Sequence, residues 1–167
     1  MIRPLKFFPD PLLNTPADAV VRIASDAQKL IQDLLDTLAS TPGVGLAAPQ
    51  IGALQRIAVV DISKDRRKSS RQTTNHGLLI LINPEIISEE GIQVPREGCL
   101  SVPQFLADVK RSEKVKFRFW DDEENERILE VEGFEALAVQ HEIDHLNGKL
   151  FLDRVTNIKT DLLRRKS

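Results

Sequence analysis

Lys114-Val115-Lys116-Phe117-Arg118-Phe119-Trp120 alternates without a break: Val115, Phe117 and Phe119 fall on one side of an extended chain, Lys114, Lys116, Arg118 and Trp120 on the other. This period of two predicts a strand with one buried face. The acidic turn at 121–125 leads into an extended stretch at 127–132, so the two strands are expected to close as an antiparallel hairpin. Immediately downstream the apolar spacing changes to three and four. Residues 134–146 therefore read as a helix, which Gly148 closes as a C-cap.

Working outward from the hairpin, residues 15–40 are expected to form an N-terminal helix. Thr15 offers an N-cap, Pro16 suits the first helical position, and Asp18 falls where a capping box wants an acid. Val20, Ile23, Ala24, Ala27, Leu30, Ile31, Leu34, Leu35 and Leu38 then make a broad apolar stripe. Pro42-Gly43 stops that helix, and a loop at 43–52 leads to a strand at 56–62 whose Ile57-Ala58-Val59-Val60 run predicts burial on both faces. Residues 63–77, rich in Lys, Arg, Ser, Thr and Asn, read as a mobile surface loop with a solvated basic cluster. A strand at 78–83 is broken by Pro84 and continues at 85–92. Residues 149–155 read as extended or irregular, and 156–166 as a short terminal helix. The fold class expected is α+β, mixed or antiparallel sheets packed around the 134–146 helix, in a single domain over 1–167.

Composition narrows the function. With 167 residues and 41% hydrophobic content the chain can bury a core unaided. A formal net charge of −2 gives no electrostatic case for DNA binding, and no apolar run approaches the roughly 20 residues that span a bilayer. The start, Met1-Ile2-Arg3-Pro4-Leu5-Lys6, lacks the apolar stretch and small-residue cleavage site of a secretory signal, so a cytoplasmic location is expected. The single cysteine, Cys99, agrees with a reducing compartment.

The helix at 134–146 carries His141-Glu142-Ile143-Asp144-His145, an H-E-x-x-H pattern that uses two of the three histidines. Imidazoles four residues apart on a helix project from one face and can grip one ion. Glu142 points about 100° around the helix from His141, toward an open coordination position, where it can serve as general base. Three protein ligands are usual at a catalytic metal, and Cys99 in Glu97-Gly98-Cys99-Leu100-Ser101 is the best third candidate. Its thiolate would favour Zn(II) or Fe(II) over Mg or Ca. A lone cysteine is nonetheless more often a small buried hydrophobe. A cysteine nucleophile is the weaker alternative, since it leaves Glu142 and the paired histidines without a role. Asp144, on another face, either orients an imidazole or makes a structural hydrogen bond. In Gly43-Val44-Gly45-Leu46-Ala47-Ala48-Pro49-Gln50 the glycines permit close backbone approach, and the Gln50 amide is placed where an oxyanion could use it.

These three segments, in this order, resemble the signature motifs of the bacterial peptide deformylases, and the likeness extends to Phe8-Pro9-Asp10-Pro11-Leu12-Leu13. The resemblance implies that Cys99, His141 and His145 bind one divalent metal, natively Fe(II), with Zn(II) or Ni(II) able to replace it. It implies further that Glu142 is the acid/base, that Gln50, the Leu100 backbone N–H and the Gly45 segment complete the catalytic set, and that a Glu97–Arg111 ion pair flanks the metal loop. The implied reaction removes the formyl group from the N-terminal formylmethionine of nascent polypeptides and releases formate. Phe134, Leu137 and Ala138 share the helix face of the metal ligands and can line a slot for a methionine side chain, and Val44 and Pro95 fall beside two motifs in the same way. Equally, that stripe could be plain core. The chain departs from many relatives at Pro103-Gln104-Phe105-Leu106-Ala107, where contacts to the peptide beyond methionine are expected to differ.

Two other functions compete. A zincin-type peptidase shares H-E-x-x-H but takes its third ligand downstream as His or Glu, whereas a structural zinc module would be closed by four ligands. Arg164-Arg165-Lys166 is a candidate ribosome contact.

Overall fold

The computed structural model describes residues 1–65 and 73–166. Five antiparallel strands form the larger sheet, in the order β1 (Gly45–Ala47), β2 (Ile57–Val60), β3 (Leu79–Glu90), β6 (Lys114–Trp120), β7 (Glu126–Glu132). A second sheet orders β4 (Arg96–Cys99), β5 (Val102–Asp108) and β8 (Leu162–Arg164). The helices are α1 (Ser25–Ala39), α2 (Phe134–Leu146) and the single-turn α3 (Ile158–Asp161). An α+β fold with antiparallel sheets is what the patterning predicts, and each expected strand is present.

Burial explains the layout. Val115, Phe117 and Phe119 are buried and pack with Val60, Leu79, Leu81 and Val131 against Ala136, Ala138, Val139 and Ile143 of α2. β2, with a buried residue at every position, lies between that layer and α1, whose Leu30, Ile31, Leu34 and Leu38 meet Ile57 and Val59. The smaller sheet encloses a third cluster of Leu13, Val102, Ala107, Val109, Leu150 and Phe151. α2 is consequently wrapped on all sides, with every residue from Glu135 to Leu146 buried, as expected for a helix that must hold polar groups away from water. Gly148, at φ 77°, ends it in the left-handed conformation.

Three expectations are corrected. The N-terminal helix begins at Ser25, not at Thr15. Thr15 Oγ1 donates to the Pro11 carbonyl at 2.8 Å instead of capping a helix. The backbone that follows is claimed by tertiary partners: Ala17 N donates to Leu146 O at 2.9 Å, Asp18 bridges Gln55, and both backbone polar groups of Val20 pair with the Asn83 side chain at 2.8 Å. Those bonds satisfy the donors that a helix would otherwise have used. Secondly, residues 156–166 yield only the four-residue α3, after which Leu162–Arg164 adds an antiparallel strand to β5, with Ala107 opposite Leu162 and Phe105 opposite Arg164. An unpaired β5 edge is thereby covered. Thirdly, β3 runs unbroken through Pro84, because a register shift between Ile82 and Glu85, with Asn83 at φ 51°, puts the proline where no ladder donor is needed. The loop expected over 63–77 is anchored on both flanks. Lys64 Nζ donates to Leu38 O at 2.6 Å, and Thr74 Oγ1 and His76 N donate to Glu135 at 2.7 and 2.8 Å. Its basic cluster at 66–71 lies outside the described residues.

Candidate metal centre

α2, β4 and the turn after β1 converge on one point. Cys99 Sγ lies 3.3 Å from His145 Nε2, and that nitrogen lies 3.2 Å from His141 Nε2. The three donor atoms all fall within 4.8 Å of one another, the one such cluster of His, Cys, Asp or Glu among the described residues. The cysteine is therefore neither remote from the rings nor a plain core residue. Among the described residues no downstream His or Glu joins them, as a zincin peptidase would require.

Whether these residues suit a metal ion can be judged from their surroundings. Burial, helped by the neighbouring His141 ring, holds His145 well below the usual imidazole range, which keeps the ring in the neutral form that ligates. Burial also works to lower His141, but Cys99, Glu142 and Glu97 outweigh it and draw a positive charge to that ring. Glu142 Oε1 and His145 Nδ1 are the buried side-chain atoms without a hydrogen-bond partner among the described residues. A set of one sulfur and two imidazole nitrogens, next to an unpartnered carboxylate oxygen, fits a borderline divalent cation such as Zn(II), Fe(II) or Ni(II).

A chain of charges fixes the ring of His141. His141 Nδ1 donates to Glu97 Oε1, and Arg111 grips Glu97 through Nη2 at 2.6 Å and Nε at 3.0 Å. Arg111 Nη1 reaches Asp144 at 2.6 Å, and Arg154 closes the chain on Asp144 at 2.5 and 2.7 Å. The Glu97–Arg111 pair implied by the resemblance is present. Asp144 touches neither imidazole; it holds Arg111, and Glu97 orients the ring. Burial alone would raise Glu97, yet the bond from His141 and the Arg111 fork hold it down to about 2.

Glu142 contrasts with it. Burial, the largest influence, pushes this carboxyl up to about 7. Gly45 explains how the carboxylate fits, since a Cβ there would come within 2.5 Å of Glu142 Oε2. Gln50 is fixed end to end: its Oε1 accepts from Ala47 N at 2.9 Å, and its Nε2 donates to Ser101 Oγ at 3.0 Å and lies 3.7 Å from Cys99 Sγ.

A cleft of about 660 Å³ opens onto these groups. Val44, Gly45, Gln50, Cys99, Leu100, Phe134, Leu137, Ala138, His141 and Glu142 line it, so nearly every residue expected at the site is brought together. Pro95 is not in the lining, and its neighbour Arg96 is. The Pro95 backbone is tied to the segment just after β5, its carbonyl accepting from Val109 N at 3.2 Å. Sequence reasoning missed Arg165, Leu106 and Lys64 in the lining, along with Ser101 as the partner of Gln50. Arg165 arrives through the β5–β8 pairing and Lys64 through its bond to the end of α1, which no local pattern marks; Ser101 and Leu106 lie in the 97–101 and 103–107 segments already marked in the sequence, but their partners are set by the fold.

A family model described as polypeptide deformylase matches residues 2–161. The peptide deformylase of Alkalilimnicola ehrlichii is 43% identical over 159 residues, spanning 95% of this chain and 85% of the relative. A crystal structure of a peptide deformylase from Legionella pneumophila is similar at TM-score 0.84 and 40% identity, covering 95% of this chain and 89% of that one. A Met-Ala-Ser-bound peptide deformylase from Acinetobacter baumannii is similar at TM-score 0.82 and 30% identity, covering 92% and 99%.

Proposed function

The chain belongs to the polypeptide deformylase family, and on that premise we propose that it hydrolyses the formyl amide of an N-terminal formylmethionine and releases formate. The observation that carries this is the convergence of Cys99, His141 and His145 within 4.8 Å beside the buried Glu142 carboxylate. A divalent cation held by those three side chains supplies Lewis acidity, which acidifies water and polarises a carbonyl.

The remaining work falls to the protein's own groups. Glu142 takes a proton from the attacking water and returns it to the leaving amine, a task suited to a carboxyl raised to about 7 by burial. Water adds to the formyl carbon, the C–N bond breaks, formate departs and the peptide keeps a free amine. Gln50 Nε2 and the Leu100 backbone N–H receive the oxygen on which negative charge develops. Because Gln50 is anchored by Ala47 and Ser101, little reorganisation accompanies that charge. Val44, Phe134, Leu137 and Ala138 offer the apolar slot for the methionine side chain. The donor set suits Fe(II), the native ion the family resemblance implies, and equally Zn(II) or Ni(II) in its place.

Nascent chains in the cytoplasm are the proposed source of substrate, and Arg164-Arg165-Lys166 the proposed ribosome contact. Ribosome co-sedimentation unchanged by Arg164→Glu with Lys166→Glu would remove that contact. The main test is formate release from formyl-Met-Ala by protein prepared without air. Release that a chelator abolishes and a divalent metal restores is expected; cleavage of internal peptide bonds with no formate would contradict the proposal.

A further inference from the structure

Beyond the metal cleft lies a second groove of about 700 Å³, lined by Phe8, Pro9, Pro103, Phe105 and the basic residues Arg164, Arg165 and Lys166. Pro103 and Arg165 line both concavities, so the two adjoin at these residues. Among the described residues lining the groove, 3 are basic and none is acidic, although the whole chain carries a net charge of −2. This positive potential is thus local.

Arg165 is the hinge of this arrangement. β8 delivers it: the Arg165 backbone N donates to Gln104 O at 2.7 Å, just past the strand's pairing with Phe105. Its guanidinium reaches back over the metal loop, where a Cβ on Gly98 would lie 3.2 Å from Arg165 Nη2. Gly98 adjoins Cys99. The other cations of the cleft are occupied, Lys64 on the carbonyls of Leu38 and Thr41 at 2.6 and 3.1 Å, and Arg96 on Asp108 at 3.3 Å. Arg165 is exposed and makes no ion pair with an acidic group among the described residues. A planar guanidinium in that state suits a carboxylate, which it can hold with two parallel hydrogen bonds.

Resting on the deformylase reading, we propose that Arg165 is a specificity-determining residue that receives an acidic side chain of the peptide two or three positions beyond methionine. The substrate leaves the metal cleft over Pro103 and Arg165 and lies along the groove between Phe8-Pro9 and the chain end. Arg164 and Lys166 add to the attraction. Leu106, which also crowds Gly98, with a Cβ there 2.8 Å from Leu106 Cδ2, supplies the apolar wall on the same side.

The test compares kcat/KM for formyl-Met peptides that differ by Asp, Ser or Lys at the third and fourth positions, in wild type, Arg165→Lys and Arg165→Glu. Because the ratio of acidic to basic substrate is taken within each enzyme, general damage to activity or folding cancels. Wild type is expected to favour the acidic peptides by about three- to tenfold, chiefly through KM, and Arg165→Lys in the same direction but less, with the preference fading as salt rises. Arg165→Glu is expected to reverse it. Formate release from all peptides with ratios near one, or ratios untouched by Arg165→Glu, overturns the Arg165 assignment and leaves the deformylase reading intact. No formate from any peptide with metal-loaded wild type overturns both.

Discussion

Glu142 is a buried carboxyl at the cleft: Oε2 occupies the space that a Cβ at Gly45 would take, and Oε1 has no partner among the described residues. Two substitutions separate its chemistry from its placement. Glu142→Gln should keep the metal but lower kcat by about 10²–10⁴-fold, the usual worth of a positioned acid/base. Gly45→Ala should also keep the metal, yet displace the carboxylate and cost about 10²-fold in kcat, as a misplacement of about 1 Å commonly does. Wild-type turnover in either variant, measured by formate release, would remove Glu142 from the reaction. For Gln50→Ala a loss of about 10²–10³ in kcat is expected, the typical effect of deleting one oxyanion donor. A change confined to KM would instead give Gln50 a ground-state role. At this scale the sequence was largely readable. Spacing on one helix places His141, Glu142 and His145 by periodicity alone, whereas the assignment of Asp144 stayed ambiguous because Arg154 and Arg111 reach it from elements whose packing no local pattern encodes.

α2 depends on the charge chain that crosses from it to the second sheet. Arg111 is buried and divides its donors between Glu97 and Asp144. Arg111→Met would leave the buried Glu97 without its guanidinium and Asp144 with Arg154 alone, so a loss of about 3–5 kcal/mol in unfolding free energy is expected from urea titration. The same variant should bind its metal about 10- to 100-fold more weakly, because Glu97 would no longer be held against His141. A loss of stability below about 0.5 kcal/mol, within the range of ordinary surface substitutions, would show that the network is not structural. Elements whose pattern is set by their own burial were legible: the β6–β7 hairpin, β2 and α2 itself. Those fixed by partners were not. Residues 17–20 sit in a helical pattern but spend their backbone bonds on Leu146, Leu54 and Asn83. β8 is a strand because β5 offers it an edge, a circumstance invisible in Leu162-Leu163-Arg164.

For the whole molecule, the ionised core predicts how stability follows pH. Glu97 falls from 4.5 in an unfolded chain to about 2 in the folded one. A depressed folded value means that protons bind the unfolded state first, so this contribution is complete above about pH 4.5 and drains away as pH falls toward 2. The denaturation midpoint of metal-free protein should therefore decline steeply across that window, and Glu97→Gln should flatten the decline. An equally steep profile in that variant would assign the acid sensitivity elsewhere. No described helix is long and apolar enough to cross a membrane. The proposed cation would tie β4 of the smaller sheet to α2, and its ligands can be read directly by X-ray absorption fine structure on zinc-loaded protein. One sulfur at about 2.3 Å and two imidazole nitrogens at about 2.0–2.1 Å from the metal are expected. A shell of nitrogen and oxygen alone, or one unaltered in Cys99→Ala, would contradict that ligand set.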